Sequence, residues 1–109
     1  MKKQTNKKTA EKVQLLHPEG KNAPAISKEI YTLFENAILE TLKSNPGITY
    51  TDIAKGVHHY FSDSGINFKG SVEWYAVTVK MHLDATGIIE SYLEKGKKLH
   101  RIKKQSFTN

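Results

Sequence analysis

The basic residues near the end of the chain are the side chains whose spacing best suits a chemical role. Residues 95–109 contain six lysines and arginines and no acidic residue. Ammonium and guanidinium groups concentrated in this way neutralise phosphates, which makes double-stranded DNA the first partner to consider. The alternative is that they only solvate the chain and protect a strand edge. The six are Lys95, Lys97, Lys98, Arg101, Lys103 and Lys104.

The charge is unevenly distributed along the 109 residues. The net charge is +6 for the whole chain, +4 for residues 1–12 and −4 for residues 13–94. The excess positive charge therefore lies in the N-terminal tail and in the last fifteen residues. We expect residues 1–11 to be a disordered basic tail and residues 12–109 to form a single domain, since the tail has almost no apolar residues.

A β-hairpin is predicted to carry the basic residues of the C-terminal region. Lys95-Gly96 suits a two-residue turn between short strand patterns. A four-residue loop, 94–97, keeps the same register, whereas a three-residue loop shifts it. The pairs predicted for the first register are Glu94 with Lys97, Leu93 with Lys98, Tyr92 with Leu99, Glu90 with Arg101 and Ile89 with Ile102.

Three amphipathic helices are predicted to precede the hairpin. Apolar residues at helical spacing follow the predicted caps Ser27, Thr51 and Ser71. The helices should run to about Ser44, to about Phe61 and to Gly87, where a positive φ favours a stop. Short strands are predicted at 48–50 and, more weakly, at 12–16.

The junction between the third helix and the hairpin carries a family resemblance. Leu83-Asp84-Ala85-Thr86-Gly87-Ile88-Ile89 resembles the L-x-x-x-G-hydrophobic-hydrophobic junction of bacterial winged helix-turn-helix regulators. GSVEWYAVTVKMHLDATGIIE, with LHPEGK at 16–21, is similar to a small bacterial winged-helix family with no assigned activity. The resemblance covers residues 27–104. It implies an α+β, three-helix winged helix-turn-helix with a C-terminal β-hairpin wing and a short N-terminal strand.

The third helix offers two kinds of contact on the face opposite its core face. In winged helices this face enters the major groove, and here Thr78, with Lys80 nearby and Tyr75 on the flank, could contribute to DNA binding. The same face also carries Trp74, Val77 and Met81, which are typical of a buried or protein-binding surface. We therefore predict a DNA-binding protein with weak base reading. The alternative is a protein-interaction or homodimerisation module.

Other classes of function lack a supporting pattern. There is no cysteine, and His58-His59 point about 100° apart on a helix, so we expect no metal site and no cofactor. No nucleophile elbow, phosphate loop or paired-carboxylate signature occurs, so we expect neither an enzyme nor a small-molecule site. The start of the chain is basic but has no apolar stretch behind it, and no stretch is apolar enough to span a membrane. A cytoplasmic, bacterial protein without membrane contact is expected.

Overall fold

The computed structural model of the chain describes residues 11–103. Three helices, a C-terminal antiparallel hairpin and an N-terminal strand pair form an α+β fold, and the predicted arrangement is confirmed. The predicted disordered tail and Lys104 lie outside the described residues, apart from Glu11 of the tail. The elements in chain order are β1 (Lys12–Gln14), β2 (Ala25–Ser27), α1 (Lys28–Ser44), α2 (Tyr50–Asp63), α3 (Val72–Ala85), β3 (Ile89–Glu94) and β4 (Lys97–Ile102).

A hydroxyl-bearing residue caps the start of each helix. The side chains of Ser27, Thr49 and Ser71 each accept a hydrogen bond from the backbone N–H three residues on, at 3.2, 3.3 and 3.1 Å. The caps at Ser27 and Ser71 are confirmed. The predicted cap at Thr51 is wrong because α2 begins one residue after Thr49, which reduces the strand predicted at 48–50 to a single bridge of Ile48.

Gly87 ends α3 as predicted. Its φ is +78°, and its N–H donates to the carbonyl of Asp84 at 3.2 Å, while the N–H of Ile88 donates to the carbonyl of Leu83 at 2.9 Å. These two bonds form a Schellman motif, which satisfies the last carbonyls of the helix and turns the chain into β3. Helix α1 ends at Ser44, as predicted; Asn45 follows with a φ of −138°, and the positive φ in this connection lies at Gly47.

The core is built around Phe34 on α1, which is fully buried. Its ring packs against those of Phe61 on α2, Phe68 in the connection that follows, and Tyr75 on α3, at centroid distances of 5.1, 5.0 and 5.5 Å. The predicted inward faces of the three helices supply most of the remaining core. The fully buried side chains from these faces are Ala37, Ile38, Leu42, Ile53, Val57, Ala76, Val79 and Leu83.

The N-terminal segment is tied to the core by a strand pair of which only one strand was predicted. β1 pairs antiparallel with β2, with Val13 opposite Ile26. Leu15, directly after β1, is 1% exposed and belongs to the core cluster. The sequence predicts no strand at 25–27, and Ala25 nevertheless begins β2 because β1 supplies hydrogen-bond partners from outside the local sequence.

The hairpin has the predicted two-residue turn and the predicted register throughout β3 and β4. It is fixed to the helices by His100 on β4. The backbone N–H of His100 donates to the carbonyl of Ile48 at 2.8 Å, and its carbonyl accepts from the N–H groups of Gly47 and Ile48 at 2.9 and 3.2 Å. Its ring is 2% exposed, and Nδ1 has no hydrogen-bond partner among residues 11–103. Burial, with the nearby charge of Lys80, lowers the pKa of His100 to about 4.

Replacing Gly87 should destabilise the protein through backbone conformation alone. No atom lies within 4 Å of the position that a Cβ would occupy, so steric clash with neighbours contributes nothing. We expect Gly87→Ala to lower the free energy of unfolding by about 1 kcal/mol, because an L-residue is strained at this φ. Gly87→Asn should lose less, since asparagine tolerates the left-handed region. Urea denaturation measures both, and equal losses for Ala and Asn would contradict this account.

The buried His100 should make the fold sensitive to acid. Its folded pKa of about 4 lies below the ordinary value of 6.5. As the pH falls below 6.5, the unfolded chain binds a proton on this ring before the folded protein does, so the free energy of unfolding decreases until about pH 4. Above pH 6.5 the ring is neutral in both states and this contribution to stability is complete. Between pH 7.5 and pH 5 this loss should be about 1–2 kcal/mol.

Chemical denaturation of the wild type and of His100→Leu at both pH values tests this contribution. The variant should lose less stability between the two pH values than the wild type does, whatever its stability at pH 7.5. The lowered pKa of His82 acts in the same direction in both proteins, so the difference between them isolates His100. Identical losses would show that His100 does not titrate on unfolding.

Candidate nucleic-acid interface

The C-terminal hairpin, hereafter the wing (residues 89–103), exposes three lysines around the tight turn at its tip. Lys95 and Gly96 both have positive φ, 54° and 80°, as a type I′ turn requires. Lys95, Lys97 and Lys98 are exposed, and none of them forms an ion pair with another of residues 11–103. The structure therefore brings these three predicted residues together as ammonium groups able to neutralise phosphates.

Arg101 is placed differently, because the wing itself uses part of its charge. Its Nε donates to Glu90 Oε2 at 2.7 Å, and its guanidinium lies 4.2 Å from the centre of the Tyr92 ring. The hydrogen bond to Glu90 raises the pKa of Arg101 further above its usual range. With Lys43 and Lys103, Arg101 lines a groove of about 590 Å³ between the end of α1 and β4. Arg101 thus lies nearer the base of the wing than the three tip lysines, as a partly paired cation.

Two of the α3 residues predicted to contact DNA are buried. Thr78 and Lys80 are each 7% exposed. Lys80 Nζ lies 3.1 Å from Asp84 Oδ2, one helical turn further on, and both side chains are largely enclosed. Neither Thr78 nor Lys80 can reach a phosphate or a base edge in this arrangement, so their assignment to the DNA-binding set is corrected. For Lys80 the cause is the wing, because the charge of Lys80 lies close enough to the buried His100 to lower the pKa of that ring.

Tyr75 is a packing residue at the edge of the core. It is partly buried, with its ring 5.4 Å from that of Phe68 and 4.8 Å from that of Trp74, edge against face in both cases. Aromatic rings in this geometry stabilise one another and fix the side chain in place. Tyr75 therefore positions Trp74, and the ring itself has little freedom to follow a DNA groove.

The accessible part of α3 is apolar with one acidic residue. Trp74 is 47% exposed, Val77 and Met81 are partly exposed, and Glu73 lies at the start of the helix. These side chains offer one indole N–H and no cationic donor, so they read bases poorly. Residues 11–103 do not bury Trp74, since about half of its surface remains accessible.

The N-terminal segment covers a different part of α3. The backbone N–H of Leu16 donates to Nδ1 of His82 at 2.9 Å, and Tyr31 packs edge-on against the same ring at 5.4 Å. Burial lowers the pKa of His82, so the ring is held neutral and able to accept this bond. No local pattern indicates this contact, because Leu16 and His82 are 66 positions apart.

The buried Lys80–Asp84 pair was also missed, although its spacing was visible. Lysine and aspartate four positions apart on a helix are placed to form an ion pair. At 100° per residue Lys80 and Asp84 lie beside the face opposite the core face, and this position alone does not predict burial. The presence of His100 beside the pair, on another element, is what encloses it.

The remaining histidines make surface contacts. His58 Nε2 lies 3.7 Å from Glu73 Oε2, and His59 Nε2 lies 3.1 Å from Asp63 Oδ2. Among residues 11–103, no three histidine or carboxylate side chains are grouped to hold a metal ion. Within the same residues, no helix has the length and apolar character needed to cross a bilayer.

Comparison with known proteins assigns the chain to a family without assigning an activity. No curated protein and no solved structure matches it. The resemblance to winged-helix regulators therefore stays a prediction. One family model, described as a family of unknown function (DUF6958), matches residues 12–99, from β1 to the middle of β4. Because this match spans most of the chain, the protein belongs to the family of unknown function DUF6958.

Proposed function

We propose that this protein binds double-stranded DNA through its wing, by contacts to the phosphate backbone. The observation that carries the proposal is the cluster of Lys95, Lys97 and Lys98 at the wing tip. Each is exposed, and none is paired with a carboxylate among residues 11–103. Free ammonium groups at a protruding tip release counterions when they meet phosphates, which supplies most of the affinity in non-specific binding.

The charge of the rest of the domain supports the same assignment. Residues 13–94 carry a net charge of −4, so the body of the protein repels a polyanion. Duplex DNA would therefore be oriented with the wing towards it, and the helices further away. This asymmetry distinguishes a binding tip from lysines spread evenly for solubility.

Sequence selectivity is a minor part of the proposal. With Thr78 and Lys80 buried, the accessible surface of α3 is formed mainly by Trp74, Val77 and Met81, beside Glu73. Base recognition by hydrogen bonds needs several donors and acceptors at the groove edges, and these side chains supply one indole N–H and one carboxylate. We infer a non-enzymatic, cytoplasmic bacterial protein of the transcription-regulator type with modest base discrimination.

The exposed Trp74 supports a second candidate, an interaction module for protein. Trp74 is held against Tyr75 and lies with Val77 and Met81 on one side of α3. Half-exposed tryptophan with neighbouring apolar residues is the composition of the centre of a protein interface. A homodimer is the simplest case, because one surface patch then meets its own copy.

Removing the tip lysines should weaken DNA binding and reduce its salt dependence. For Lys97→Ala/Lys98→Ala, we expect roughly tenfold lower affinity per lost phosphate contact at low salt, and a log–log salt slope shallower by about 2. Fluorescence anisotropy with a labelled duplex at several salt concentrations measures both quantities.

The matched control for this experiment is Lys55→Ala/Lys69→Ala. It removes the same charge from two exposed positions on the body, and neither lysine is paired among residues 11–103. It should bind nearly as the wild type does. Equal losses for both double variants would indicate a general charge effect, and no binding by the wild type at low salt would refute the proposal.

Trp74→Glu tests the second candidate. If Trp74 lies at a dimer interface, a buried carboxylate there would be unpaired, and the dimer should dissociate. Light scattering over a range of concentrations should show a wild-type dimer and a monomeric variant, with Thr51→Glu, an exposed position on α2, remaining dimeric. A wild type that stays monomeric at high concentration would count against self-association.

A further inference from the structure

Leu93 on the wing has an exposure that the fold does not account for. It is 76% exposed, compared with 50% for Leu16 and 47% for Trp74, the other exposed large apolar residues among those described. It lies two residues before the turn and directly opposite Lys98 in the hairpin register. An isolated exposed leucine is common on protein surfaces, so its meaning depends on its surroundings.

The surroundings of Leu93 carry a net positive charge, with Lys95, Lys97 and Lys98 against one carboxylate, the exposed Glu94 opposite Lys97. Cross-strand partners share a face of a hairpin, so Leu93 and Lys98 project from the same side. The same face contains Ser91 opposite His100, which is buried at the base of the wing. The Leu93–Lys98 pair is therefore the part of this face that extends beyond the core. Lys95 and Lys97 complete the charged rim within a few residues.

The wing holds Leu93 in place without burying it. On the opposite face, the neighbouring Tyr92 is partly buried and stacks with the Arg101 guanidinium at 4.2 Å. The hydroxyl of Tyr92 lies close to Gly47, where a side chain on residue 47 would collide with it. The type I′ turn at Lys95-Gly96 fixes the tip itself. An apolar side chain is thus presented on a rigid support, at low entropic cost to a partner.

We propose that Leu93 is an apolar wedge that the wing inserts into the minor groove of duplex DNA, with the tip lysines on the flanking phosphates. This inference rests on the proposed function and adds the groove, the wedge residue and a preference among sequences. The charge around Leu93 selects an anionic partner, and apolar wedges in the minor groove partly unstack a base step and bend the duplex. Flexible pyrimidine–purine steps such as TA resist unstacking and bending least, so the protein should prefer duplexes that contain them.

Binding and bending of two short duplexes test the wedge. The two duplexes are identical except at the central step, which is TA in one duplex and a stiff A-tract step in the other. Leu93→Ala should bind the TA duplex roughly tenfold more weakly than the wild type, because its apolar contact is lost. It should also abolish the bend, measured by energy transfer between the duplex ends. The salt slope should stay unchanged, since no phosphate contact is removed.

Two further variants keep the experiment interpretable. Leu93→Met should retain affinity and bend, because a flexible apolar side chain of similar size replaces leucine. Leu16→Ala, which truncates an exposed leucine outside the wing, should behave as the wild type does. Thermal melting should confirm that all variants fold, as expected for exposed positions.

The outcomes separate the wedge from the proposed function. If Leu93→Ala binds and bends the duplexes as the wild type does, the wedge is overturned and binding to the phosphate backbone still stands. No duplex binding by the wild type overturns both. Vesicles of three parts phosphatidylcholine to one part phosphatidylglycerol serve as the other anionic surface. Leu93-dependent binding to these vesicles, without a Leu93 effect on DNA, would assign the tip to a membrane surface and overturn the inference.

Discussion

The packing of Phe34 against three other aromatic rings is the contact on which the arrangement of the helices depends. Phe61, Phe68 and Tyr75 come from α2, from the connection after it and from α3, so one buried side chain touches every helical part of the domain. The rings of Phe61 and Phe68 meet Phe34 edge to face, and the ring of Tyr75 is tilted by 32° against it, so all three side chains are packed around one buried ring. This constraint fixes the direction of α3 and, through Tyr75, the position of Trp74 on its accessible side.

The fold divides its charged and apolar surfaces between two places. Helix α3 is enclosed on more than one side, and its Lys80–Asp84 pair is used internally beside His100. The wing extends beyond this enclosure and keeps its lysines free of ion pairs among residues 11–103. A polyanion and an apolar protein surface would therefore meet different parts of the molecule, the first at the wing tip and the second beside Trp74. The two candidate functions do not compete for the same side chains.

Local patterns in the sequence predicted most of the fold, and long-range contacts account for what they missed. The hairpin register followed from two residues, Lys95 and Gly96, because their turn type sets the pairing of both strands. The strand at Ala25–Ser27 could not be recognised, since three residues after a proline carry no alternation and are ordered only by pairing with β1. Burial of Thr78 and Lys80 was missed for a similar reason. Helical spacing gives the polarity of each face of α3, but the segments that pack on a face come from elsewhere in the chain. The wing lysines were placed correctly because exposure at a hairpin tip needs no partner.

The close approach of the wing to the loop between α1 and α2 has a mechanical consequence. Gly47 gives room to the Tyr92 hydroxyl, and its N–H joins that of Ile48 on the carbonyl of His100. The wing is thus fastened to the loop before α2 by the backbone of His100 at the edge of β4, with the Tyr92 side chain in close approach beside it, unlike a flap hinged only at its ends. A force applied at the tip is transmitted through residues 47–49 to the first turn of α2, so the wing and this turn move as a single lever.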